Sequence, residues 1–227
     1  MQTTPGNVIK QVPSKWIDPL AAIIWLIPLA YLLISYPSLP ATVPMHFDGN
    51  GRADGFGTKL THLLVMLGMW LFNIGIYLVV RNVHRLDPKA TVRLGQRTYR
   101  NLALAILLFL SALHVMIVYA TVEGGLVIDR MLCVMLGAFF GYLGWVMKDI
   151  EPNYFIGIRT PWTLEDPENW KATHVFASRW FIWGGAFVVI AALLLPRPYE
   201  LYASIGVILL MAIVPIAYSY RFFAARK

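Results

Sequence analysis

Two short stretches hold most of the side chains able to do chemistry. The first, Pro37 to Lys59, carries Pro44, His46, Phe47, Asp48, Gly51 and Asp54, with His62 just beyond it. Histidines among carboxylates suggest a metal, and Asp48, Asn50 and Asp54 suggest a calcium loop. Arg52 and Lys59, however, stand where the EF-hand pattern needs oxygen ligands. No i, i+3 or i, i+4 ligand pair supports zinc. Turn-forming Asx side chains and a hydrogen-bonded His46 account for these residues, and no metal or cofactor is expected. The second stretch, Glu151 to His174, carries Asn153, Gly157, Arg159, Thr160, Trp162, Thr163, Trp170, Thr173 and His174. Arg159 sits between Gly157 and Pro161. It either pairs with Glu151 or Asp149, snorkels to an interface, or presents a planar donor fork to a carboxylate, a phosphate or a partner's C-terminus. No Ser/His/Asp or Cys/His arrangement appears, so an enzyme is the least expected class.

The elements that position these residues follow from composition. Of 227 residues, 58% are hydrophobic and 14% charged, with a mean hydropathy of +0.62. Soluble domains carry about 25% charged residues, so this chain is an integral membrane protein. Six apolar runs, close to the roughly 20 residues a bilayer requires, predict one membrane domain over 1–227. The chain reads as an all-α bundle of six transmembrane helices at about 17–36, 62–81, 88–122, 130–147, 167–195 and 199–219. The first run is too long for a signal-peptide core and is expected to remain as a helix. Cys133 lies inside the fourth run and reads as a small buried hydrophobe.

Charge sets the orientation. Of the nineteen basic residues, Arg52, Lys59, Arg130 and Arg197 fall on one side and the other fifteen on the opposite side. The positive-inside rule then places both termini in the cytoplasm. Loop 37–61 lies outside and loop 148–166 inside, so the two stretches cannot share one site. The net charge of +7 is thus a topology signal, and direct nucleic-acid binding is not expected. Asp87-Pro88 should start the third helix. Lys89, Arg93, Arg97 and Arg100 then form a stripe on its cytoplasmic extension, facing anionic headgroups.

The loops are not ordinary linkers. Pro37, Pro40 and Pro44 hold the first half of the outer loop extended, and Gly49, Gly51, Gly55 and Gly57 suit tight turns. In the inner loop Asp166-Pro167 predicts a helix start, with the helix running to Pro196. Trp170, His174 and Phe181 would share one face, with Thr173 one step round, as an interfacial aromatic ridge. Within the membrane, a hydrogen bond from Asn73 on the second helix to the Ser111–His114 face of the third is expected. Gly184-Gly185 in the fifth helix and Gly137, Gly141 and Gly144 in the fourth permit close helix contact, and the fourth helix's glycines predict the best packing seam. A motif loop follows the first helix of each half on opposite sides, the outline of a weak inverted three-plus-three repeat, although no residues match between the halves.

The run from Leu39 to Gly55 resembles the proline-rich, His-Phe extracytoplasmic motif region of the SdpI-type family of bacterial membrane proteins. Asn153-Tyr-Phe-Ile-Gly-Ile-Arg-Thr-Pro-Trp-Thr-Leu, followed by Trp170 and Thr173-His174, resembles that family's second signature. The two motifs cover about a quarter of the chain. The resemblance implies a role in immunity to a secreted membrane-active peptide toxin, with signalling through a repressor held at the membrane. Pro44, His46, Phe47, Gly51 and Asp54 are then the outer binding candidates. Asn153, Gly157, Arg159, Thr160, Trp162, Thr163, Trp170, Thr173 and His174 are the inner ones. The alternative is a small transporter or channel built on Asn73, Ser111 and His114.

Overall fold

The computed structural model describes residues 14–48, 53–83, 95–123 and 128–226. Helix α1 spans Ser14–Ser35 and passes through a short 3₁₀ turn, Tyr36–Ser38, into strands β1 (Thr42–Phe47) and β2 (Ala53–Thr58). Helices α2 (Lys59–Asn82), α3 (Gly95–Glu123) and α4 (Ile128–Met147) follow. A short α5 (Pro161–Glu165) precedes α6 (Pro167–Leu194) and α7 (Tyr199–Ala224). Six of these helices are long and apolar enough to cross a membrane, with mean hydropathies from 1.5 to 2.5. Leu33, Ile34, Phe72, Trp183 and Leu194 stay exposed because lipid, not water, surrounds them. The predicted start at Asp87-Pro88 lies outside the described residues.

The bundle has two halves. In the first, α3 packs on both α1 and α2. Ala21, Tyr77, Ala103 and Leu107 form one core cluster between them, and Leu32, Met66 and Val118 another. The indoles of Trp25 and Trp70 stack at 4.1 Å. Each donates its N–H to the other residue's carbonyl, at 3.0 and 2.8 Å, which clasps α1 to α2.

In the second half α6 is the central helix, against α4 and α7. The glycine seam supplies its tightest contact: a Cβ on Gly185 would lie 2.5 Å from the Gly137 carbonyl oxygen and 2.6 Å from the Gly141 nitrogen. Gly184 faces Met211 on α7 instead of α4. The central helix is thus third in one half and second among the spans of the other, so helix packing does not repeat between halves. The motif loops nonetheless sit at opposite ends, because every span crosses.

The outer loop is not the string of turns its glycines suggest. Gly55 and Gly57 lie within β2, whose partner β1 accommodates Pro44 in a two-stranded antiparallel hairpin. Proline lacks a ladder donor and is tolerated on such an edge.

Candidate functional site

The hairpin is anchored from below. Val43 is fully buried and Leu39 nearly so. Lys59 donates to the Pro37 carbonyl at 3.2 Å and lies 4.6 Å from the Tyr36 ring centroid. Thr58 caps α2 by accepting from the Thr61 N–H at 3.0 Å, so β2 feeds the helix without a linker. The outward face carries Thr42 opposite Thr58 and Pro44 opposite Phe56. Phe56 is 64% exposed.

The pairing slips on both sides of His46. Such an irregularity re-aims side chains, and here His46 Nδ1 meets Asp54 Oδ1 at 2.5 Å. Gly55 opposite leaves room, since a Cβ there would lie 3.0 Å from the His46 Cβ. The pair is largely exposed, and exposed ion pairs contribute about 0–1 kcal/mol. Its chemistry is therefore available to a partner at little cost in stability. Gly51 lies outside the described residues, and of Phe47 only the backbone is described.

At the opposite end, most of the inner motif is consumed in holding its own loop. Asn153 Oδ1 accepts from the Phe155 and Ile156 N–H groups, at 2.8 and 2.7 Å, and its Nδ2 donates to the Glu151 and Ile156 carbonyls. Gly157 adopts a φ of 105°, open to glycine and strained for other residues. That turn aims the Ile158 N–H at His174 Nε2, 3.1 Å away. His174 Nδ1 lies 2.8 Å from the Trp170 carbonyl, so Nδ1 carries the proton and Nε2 is the acceptor. The imidazole is neutral and fully engaged.

The rest of the motif extends the tie to α7. Thr160 and Thr163 form a reciprocal capping box that starts α5, and the Thr163 hydroxyl donates to the Ile158 carbonyl at 2.9 Å. Trp170 Nε1 donates to the Ile150 carbonyl at 2.8 Å. Thr173 donates to Asn169 Oδ1 at 2.9 Å, and Asn169 Nδ2 reaches the Ser219 carbonyl at 3.1 Å. Trp162 Nε1 donates to Ser219 Oγ at 2.8 Å.

Asp166 caps α6 with its side chain on the Glu168 N–H, as its sequence predicts. Arg226 closes the end by pairing with Asp166 and Glu168, and the Glu168 carboxylate raises the guanidinium pKa above its already high value.

The expected aromatic ridge is therefore absent. Trp170, Thr173 and His174 are about 1% exposed or less, because the loop folds over the face they were to present. What the loop does present is Arg159, Tyr154 and Phe155. Arg159 donates to the Tyr154 carbonyl at 2.5 Å. Asn169 and Ser219, which join the motif to α7, had no local sequence signal. The bonds by which they do so span 50 and 57 residues.

Inside the bundle Asn73 Nδ2 donates to Ser111 Oγ at 3.0 Å. His114 takes no part in that bond. Its Nε2, the His62 Nε2 and Asn73 Oδ1 are buried without a partner among the described residues. Ser111→Ala is expected to lower stability by about 0.6 kcal/mol, read as thermal unfolding in detergent. A loss several times larger would make this bond a principal tie of the bundle.

Lys89 and Arg93 of the expected basic stripe lie outside the described residues, and of Arg97 only the backbone is described. Arg100 is half-buried, with its Nε enclosed. His46 and His174 stand at opposite ends, and no group of three metal-ligating side chains occurs among the described residues.

Residues 149–219, which hold the inner loop, α5, α6 and most of α7, match the model of the SdpI/YfhL protein family. Residues 23–71, which hold most of α1, the hairpin and the first half of α2, match a domain of unknown function, DUF1648. The chain is 27% identical over 196 residues to the Immunity protein SdpI of Bacillus subtilis (strain 168), covering 84% of this chain and 88% of that protein. No solved structure matches.

Proposed function

This multi-pass membrane protein is a member of the SdpI-type family of immunity proteins, and from that premise we propose that it protects its cell by recognising a membrane-active peptide toxin at the hairpin. One observation carries the reading. Nearly all motif residues at the inner end are buried and internally bonded, whereas the hairpin leaves His46, Asp54 and Phe56 exposed on one face. An aromatic flanked by a charged pair at headgroup depth suits an amphipathic peptide lying in the interface.

At the other end Arg159, held beside exposed Tyr154 and Phe155, is the docking surface for a cytoplasmic signalling partner such as a repressor. A guanidinium next to aromatic rings accepts an acidic or carboxylate-bearing segment. This assignment rests on N-in/C-in orientation in the cytoplasmic membrane, which the basic-residue distribution supports.

A sensitive host expressing the chain is challenged with a panel of secreted membrane-active peptides at matched membrane abundance. His46→Ala and Phe56→Ala should each lower survival about tenfold, the size of one lost recognition residue. Arg159→Ala should leave survival intact and release the partner. Full protection by both hairpin variants would remove the hairpin from recognition.

The second reading, a small transporter or channel, draws on the unpartnered His62, His114 and Asn73 atoms along α2 and α3. Proton or cation flux in proteoliposomes checks it, and no flux would eliminate it.

A further inference from the structure

The cytoplasmic-end surface between α6 and α7 carries a second set of groups that the immunity reading does not use. Two adjoining clefts, of about 450 and 420 Å³, open there. Phe176 and Tyr218 line both, stacked at 4.2 Å and within 3° of parallel, so the ring pair is the ridge between them. Lys171 and Arg179 line one cleft and Arg221 the other.

None of these three cations has an ion-pair partner among the described residues. Glu168, on the rim of the first cleft, is already paired with Arg226. The depth is also defined. Arg179 immediately precedes the charge-free run 180–194, and Arg221 immediately follows the charge-free run 201–220. The Phe176–Tyr218 stack sets the register of these neighbouring antiparallel helices, so Arg179 lies about 9 Å deeper than Arg221, a gap that long side chains snorkelling toward one headgroup can span. Below Arg221 the second cleft is apolar, lined by Val214 and Ala217.

We infer that these paired clefts bind one anionic phospholipid, its phosphate held by Arg179, Lys171 and Arg221 and an acyl chain lying along Val214 and Ala217. Guanidinium groups match phosphate oxygens with paired donors, and the stacked rings wall the site at headgroup level. Unpaired cations at this depth each add attraction to anionic lipid. Here they converge on two joined concavities instead of radiating from the bundle.

The test uses the full chain in nanodiscs of mixed phosphatidylglycerol and phosphatidylcholine, extracted gently and examined by native mass spectrometry. Phosphatidylglycerol should be retained about tenfold or more over phosphatidylcholine. Arg179→Gln/Arg221→Gln should abolish that preference, whereas Arg81→Gln/Lys148→Gln, which removes equal charge at the same end, should preserve it. Raising the salt on the wild-type chain should lower retention in parallel, a readout that holds even if the double variant folds poorly. Equal retention of both lipids, equal loss in both double variants, or displacement of lipid by millimolar inorganic phosphate would each overturn the proposal.

Discussion

Replacing Gly157 with alanine should detach the inner loop from α6 and destabilise the protein by roughly 2–6 kcal/mol. Two costs combine. A φ of 105° strains any residue with a Cβ, by about 1–3 kcal/mol. The added methyl would also fall on His174 Nε2, the atom that accepts the Ile158 N–H. Relieving the clash breaks that bond and orphans a buried donor, at about 1–3 kcal/mol. Thermal unfolding in detergent and proteolysis within 151–160 both read the loss. A double-mutant cycle with His174→Ala isolates the contact, because removing the ring removes the clash. The double variant should be less unstable than the two single losses added together, by more than about 1 kcal/mol. Additivity within about 0.5 kcal/mol would show that the two residues do not act on one another.

Gly185→Ala should be comparably damaging for a different reason. Its Cβ would meet backbone atoms of α4 at 2.5 to 2.9 Å, and backbone cannot move aside as a side chain can. The helices must separate along the seam, at the upper end of the roughly 1–3 kcal/mol typical of overpacking. Gly141 provides the control, since a Cβ there meets nothing within 4 Å. Gly141→Ala should shift the unfolding midpoint little, while Gly185→Ala should lower it markedly and loosen resistance to sodium dodecyl sulfate. Equal effects at the two positions would mean that α4 and α6 are not in glycine-mediated contact.

The six spans were legible because a bilayer imposes length and apolarity on every crossing, and both properties are local. The start of α6 was legible for the same reason: Asp166 and Pro167 carry the cap and the break within two residues. Asn73 found its bond to α3, yet through Ser111 and not His114, a choice set by how the helices rotate against each other.

The hairpin was hidden by its own composition. Pro44 and the glycines at 55 and 57 read as breakers, and only cross-strand pairing shows that they tolerate an edge ladder. The burial of Trp170 and His174 was hidden for another reason. Amphipathic rings at that position fit a membrane interface equally well until residues 151–160 fold back over them. Arg159 bonds to a backbone carbonyl, that of Tyr154, where charge alone pointed to a carboxylate.

The Trp25–Trp70 clasp has a mechanical consequence. Each indole sits 11 residues from the hairpin end of its helix, since α1 leads into the turn at Tyr36 and α2 leaves it at Lys59. At 1.5 Å per residue the clasp lies about 16 Å from the hairpin along both legs. It behaves as the rivet of a pair of tongs. Because its two bonds are reciprocal, sliding one leg past the other by a single residue rotates an indole out of place and breaks both. The hairpin's height and tilt are therefore fixed from within the bilayer, and a peptide that wedges the legs apart at the surface works against a pivot it does not touch.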